Sequence, residues 1–128
     1  MQDLIGNGGL SQEELKTLLE IGFLLTAHGH VVPGEKVFDA IGRVRPGNEA
    51  VTLGRSMLLL QRGRPDEAAD LLERCVMAKD EPDLNLVLAL GVAQHAAGRS
   101  AQSERSMADA MARERAVAAD TATSMEKP

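Results

Sequence analysis

Three stretches of this chain share one spacing of small and large residues, and that spacing constrains the fold more than any other feature. Gly22, Ser56 and Gly91 are 34 and 35 residues apart, and a glycine follows each by seven positions: Gly29, Gly63 and Gly98. Twelve positions after each comes a small residue (Gly34, Ala68, Ser103), and sixteen after each a large apolar one (Phe38, Leu72, Met107). Nineteen after each come Ile41, Cys75 and Ala110, while Pro46 closes the first unit and Pro82 the second. A recurrence of this length belongs to a supersecondary unit that cannot bury its apolar face alone, so that neighbouring units must stack. The small residues suit places where two helices cross closely. The glycine ends the first helix of each unit, and the large apolar residue fills the space between units.

The residue palette agrees with helices. The 128 residues suffice for one domain, and the core has only two Phe and no Tyr or Trp to draw on. It must therefore be built from Leu, Val, Ile, Met and Ala, which favour helix over strand. The punctuation predicts six helices near 11–28, 32–45, 49–62, 65–78, 83–97 and 100–118. Ser11 and Glu14 have the spacing of a capping box. His28-Gly29-His30, Pro46-Gly47, Gly63-Arg64-Pro65 and Gly98-Arg99 are the turns. Short turns make consecutive helices antiparallel hairpins. Asn7-Gly8-Gly9 reads as a break that leaves residues 1–10 a flexible leader, residues 11–119 form the folded domain, and the small, polar stretch 120–128 is expected to be a disordered tail.

This pattern resembles the tetratricopeptide repeat (TPR), over about residues 15–117. The resemblance implies an all-α fold, a short α-solenoid of three antiparallel helix hairpins. The chain departs from the usual pattern at the aromatic positions of the first helix of each unit. They carry Leu18, Thr52 and Val87, then Leu25, Leu59 and Gln94. The longer second step places one extra residue near Lys79–Asp83.

A search for chemistry returns little. The chain has no Gly-rich phosphate loop followed by Lys, no G-x-S-x-G and no H-E-x-x-H. Gly6-Asn7-Gly8-Gly9 has no strand signal before it and reads as a linker. His28-x-His30 lacks the further ligands zinc needs, so two solvated turn histidines are expected. Cys75, the single cysteine, falls at a packing position of the second hairpin and reads as a buried packing residue. It cannot form an internal disulfide, which fits a reducing compartment. The carboxylates Glu13, Glu14, Glu20, Glu67 and Asp70 read as solvated helix faces. No enzyme activity, cofactor or metal is expected. A net charge of −5 and the scarcity of aromatic stacking residues argue against nucleic acid. The longest apolar run, Leu86 to Ala93, is eight residues, so no membrane span is expected. Residues 1–10 show no signal-peptide pattern, and the expected location is cytoplasmic.

The TPR resemblance implies that the first helix of each hairpin lines a concave side and makes the partner contacts. Carried over by register, the contact positions are Lys16, Leu19, Phe23 and Thr26, then Ala50, Leu53, Met57 and Leu60, then Asn85, Leu88, Val92 and His95. Domains of this family that grip acidic chaperone tails use Lys, Arg and Asn here, and only Lys16 and Asn85 fit that use. The partner-binding set expected instead is an apolar strip, Leu19, Phe23, Leu53, Met57, Leu60, Leu88 and Val92, with His95 at its end. A small, acidic, three-repeat chain with such a groove resembles the cytoplasmic TPR chaperones of bacterial type III secretion. That resemblance implies a role in virulence-associated protein transport. An amphipathic helix of a secretion subunit or early substrate would lie in the groove before export. Contact with the export gate, and homodimerisation without the client, belong to the same expectation. The alternative is a generic TPR scaffold or a self-associating subunit of a larger assembly.

Overall fold

Each helix begins and ends where local chemistry stops the preceding one. The computed structural model describes residues 9–126. Among these residues the chain is all-α, with helices α1 (Gln12–Ala27), α2 (Val31–Val44), α3 (Glu49–Gln61), α4 (Pro65–Met77), α5 (Leu84–Ala96) and α6 (Ser100–Glu126). The capping box forms at α1: the Glu14 N–H donates to Ser11 Oγ at 3.1 Å and the Ser11 N–H to Glu14 Oε1 at 3.2 Å. Asn48 caps α3 by accepting from the Ala50 and Val51 N–H groups at 2.9 and 3.2 Å, and Asp83 caps α5 by accepting from Asn85 at 2.8 Å. The second helix of each hairpin has no such side-chain cap to rely on at α2 and α4, and α4 begins instead with Pro65 at its first turn.

The three hairpin turns are built alike. Gly29, Gly63 and Gly98 adopt φ of 80°, 72° and 79°. The following N–H reaches back five residues each time: His30 to Leu25 O, Arg64 to Leu59 O and Arg99 to Gln94 O, at 2.8, 2.9 and 2.8 Å. This is the Schellman closure, which satisfies helix-end carbonyls and needs a residue without Cβ strain at the left-handed position.

α1 packs on α2, α3 on α4 and α5 on α6, giving three consecutive hairpins; α2 also packs on α3, and α4 on α5. The recurrent positions form the core. Phe38, Ile41, Ala68 and Leu72 are fully shielded, as are Ser56 and Ala110. The Phe38 ring enters a slot between α1 and α3. A Cβ built on Gly22 would meet its tip at 2.9 Å, and one built on Gly54 would fall on the ring itself. Met107 occupies the same position against Gly91, where an added Cβ would lie 2.8 Å from its methyl carbon. Buried hydroxyls at the crossings are satisfied: Thr26 donates to Gly22 O at 2.8 Å and Ser103 to Gly91 O at 2.7 Å. Ion pairs on the surface tie the hairpins together. Arg55 meets Asp39 at 3.2 Å and Arg62 meets Glu35 at 2.6 Å, between the first and second hairpins. Arg99 bridges Asp66 and Asp70 at 3.0 and 3.1 Å, between the second and third.

The structure departs from the sequence reading at both ends. Leu10, assigned to the flexible leader, is buried as a member of the first core cluster, which also holds Leu15 and Ile41, and its carbonyl accepts from Arg45. It sits just before the cap residue and packs back on the first turns, as a hydrophobic staple does. Residues 1–8 of that leader lie outside the described residues. α6 continues to Glu126, through most of the stretch expected to be a disordered tail, because the Ala-rich sequence after Ala116 contains no stop signal. Residues 127–128 lie outside the described residues.

Candidate protein-binding groove

The curvature of the stack follows from which helices meet. α1 lies against α3, and α3 against α5, whereas the second helices of successive hairpins are splayed apart. The first helices therefore occupy the tighter, concave side. The eight residues read from the sequence as a binding strip all sit on these three helices at matching register positions. None of them is fully buried. Leu19, Phe23, Leu53, Met57 and Leu60 are half-buried, His95 is exposed, and Leu88 and Val92 are 38% and 51% exposed.

Other faces of the same helices behave differently. Val51, Leu58, Leu86, Val87 and Leu90 are buried, with Val51 and Leu58 against α2. On α3 and α5 the strip positions are thus more open than these core positions, although Leu53 and Leu60 pack against the second core cluster. On α1 the register requires one correction. Thr26, expected among the groove positions, is completely buried, because its hydroxyl is drawn to Gly22 O and it lies across the close approach of Gly34. Gln61 also donates to its carbonyl.

The strip is not equally committed along its length. Leu19 and Phe23 lean on the first core cluster, and the Phe23 ring meets Phe38 edge-to-face with centroids 5.1 Å apart. They border a shallow depression of about 260 Å³ together with Leu15 and Lys16. Leu53 lines a smaller one, about 110 Å³, between α3 and α5, with Ala50, Asn85 and Leu86 beside it and Glu49 and Asp83 at its rim. Leu88 and Val92 stand most open. α5 is the last of the first helices among the described residues.

Among the described residues no group of three or more His, Cys, Asp or Glu converges to hold a metal. His28 and His30 are exposed at the first turn. Cys75 is a free thiol, half-buried against the second core cluster. Two cations are held above their ordinary pKa. Lys79 is raised by its hydrogen bond to Glu49, and Arg99 by its pairing with Asp70 and Asp66. Both contacts fasten the scaffold, and Glu49 of the first also borders the depression at Leu53.

Residues 50–74 and 85–109 match the tetratricopeptide repeat family model. These segments are the α3–α4 hairpin and the α5–α6 hairpin as far as Asp109, and the first hairpin repeats their turn geometry and packing outside the matched segments. No curated protein matches the chain. The match supports a TPR protein, and TPR repeats indicate a protein–protein interaction scaffold. Among the described residues no helix is long and apolar enough to cross a membrane.

Proposed function

We propose that the protein is a small chaperone of the type III secretion kind, acting in the cytoplasm by binding alone. It holds the apolar face of an amphipathic helix, from a secretion subunit or an early substrate that would otherwise self-associate, against Leu19, Phe23, Leu53, Met57, Leu60, Leu88 and Val92. His95 closes the strip with a polar contact. The observation that carries this reading is the exposure of Leu88 and Val92 on the concave side of α5, a helix whose Leu86, Val87, Leu90 and Ala93 are buried. Open apolar side chains in line with half-buried ones give a partner helix both a foothold and a track. Covering them stabilises the complex by about 25 cal/mol for each Å² of apolar area, less the cost of association. Met57 at the middle of the track adapts to an irregular partner surface.

The test is co-expression with the needle subunit and the early substrates of a type III system. A chaperone keeps its client soluble at one-to-one stoichiometry, and the client aggregates or polymerises without it. If no such subunit is retained, and an unrelated assembly component is retained through the same strip, the generic scaffold is the right description.

A further inference from the structure

We propose that the open face of the first hairpin pairs with the same face of a second copy of this chain, across a two-fold axis near the middle of α1. The proposal uses a surface separate from the concave strip and stands independently of what the strip binds.

Comparison of equivalent positions identifies the face. Leu24, Leu58 and Ala93 share one register position, and they are 58%, 3% and 0% exposed. Thr17, Val51 and Leu86 share another, and only Thr17 is exposed. In the second hairpin this row is covered by α2, whose Gly42 approaches Val51 and whose Gly34 approaches Leu58. In α1 the same row, Thr17, Ile21 and Leu24, is exposed and carries two large apolar side chains, Ile21 and Leu24, and no helix among the described residues covers it.

The occupant follows from shape and charge. A cavity of about 540 Å³ opens between α1 and α2 at one end of the face, lined by Leu10, Leu18, Ala40, Ile41 and Val44, with Glu13 and Glu14 at its rim. At the other end of the face two large apolar side chains stand proud: Leu24 and Val32, each 58% exposed. On α1 the cavity and the protruding pair lie at opposite ends of the row Thr17, Ile21, Leu24. On α2 they lie at opposite ends of the row Val32, Lys36, Ala40. A two-fold rotation about Ile21 exchanges the ends, so that Leu24 and Val32 of each copy enter the cavity of the other. The same rotation brings the acidic rim, Glu13 and Glu14, to the end that carries His28. An interface of this kind closes on itself as a dimer.

The competing arrangement, in which a second copy extends the solenoid head to tail, has a poor fit at its crossing. Where Phe38 meets Gly54 inside the chain, the incoming copy would set Met107 against Glu20, the equivalent of Gly54 in α1.

Sedimentation equilibrium over a wide concentration range tests the proposal, with circular dichroism checking that each variant is folded. Wild type is expected to reach a dimer and stop there. Leu24→Glu, at an exposed position, is expected to raise the dissociation constant by about 100-fold or more, because the charge is buried twice in a two-fold interface. His28→Glu is expected to weaken the dimer, and Glu13→Lys added to it to restore affinity. Met111→Glu on α6 and Val92→Glu in the strip are expected to leave the dimer intact. A monomer at all concentrations overturns the proposal. So does association that continues past the dimer and is lost in Met111→Glu, which would mean head-to-tail stacking. Loss in Val92→Glu with retention in Leu24→Glu would instead place self-association in the groove.

Discussion

Gly54→Ala offers a test in which the sign of the effect is diagnostic. In the interior of an unhindered helix, replacing Gly by Ala stabilises by about 1 kcal/mol. At Gly54 the new Cβ would fall on the Phe38 ring, and the ring cannot withdraw, because its tip already lies 2.9 Å from where a Cβ on Gly22 would be. Phe38 is completely buried and is braced on its other side by Phe23. Overpacking of this kind costs about 1–3 kcal/mol, and a ring fixed between two backbones belongs at the upper end of that range. After subtracting the propensity gain, the variant should be less stable by about 2 kcal/mol. In a Phe38→Leu background the obstruction is removed, and Gly54→Ala should become neutral or stabilising by up to about 1 kcal/mol. The assay is urea unfolding followed by circular dichroism, with unchanged slope and a shifted midpoint. The coupling between the two substitutions is read from the double-mutant cycle. Stabilisation by Gly54→Ala in the wild-type background would refute the close crossing of α2 with α3, and with it the packing logic of the stack.

Three further outcomes are expected. Ala68→Leu, at a shielded crossing of the second hairpin, should lower stability by about 1–3 kcal/mol, whereas exposed Glu67→Gln should leave the thermal midpoint nearly unchanged. Gly63→Val should destabilise by more than 1 kcal/mol, roughly, although a Cβ there meets nothing, because φ of 72° strains any β-branched residue. Lys79 has its pKa raised above 10.5 in the folded chain, so its pairing with Glu49 contributes below that pH and is lost as pH rises through the folded value. The slight fall in thermal midpoint above about pH 10.5 should therefore be smaller in Glu49→Gln than in wild type, measured by scanning calorimetry across the alkaline range.

The fold was largely legible because its determinants repeat. The three glycines at the turns, the small residues at the crossings and the large residue sixteen positions on are each visible in the sequence and each occupy the expected place. Gly54 was not legible. Its equivalents are Glu20 and Ala89, so no recurrence marks it, and only the Phe38 ring reveals that a second backbone closes the slot. Leu10 was hidden by the glycines before it, although its position ahead of Ser11 with Leu15 five residues on carries the signal of a staple. The exposure pattern was partly legible, since periodicity separates open Leu88 and Val92 from buried Leu86, Val87 and Leu90 on α5. Thr26 escaped, because a hydroxyl that bonds back to its own helix can be buried at a position the repeat register assigns to the groove. The open face of α1 was also missed as a surface. Ile21 and Leu24 look like ordinary core in a helix apolar on several sides, and only the contrast with buried Leu58 and Ala93 shows that their cover is absent from the described residues.

The central claim is that the concave face of α1, α3 and α5 binds an apolar helix, and the most direct measurement is calorimetric titration of the co-purified client's amphipathic helix, as a synthetic peptide, into Val92→Glu. Val92 is half exposed, so the fold should be retained, and a charge placed there must be buried on binding. The account predicts binding to wild type and a loss of about 100-fold or more in Val92→Glu, with Glu73→Lys on α4 unaffected. A folded Val92→Glu that binds the peptide as tightly as wild type would contradict it and move the partner site off the concave face.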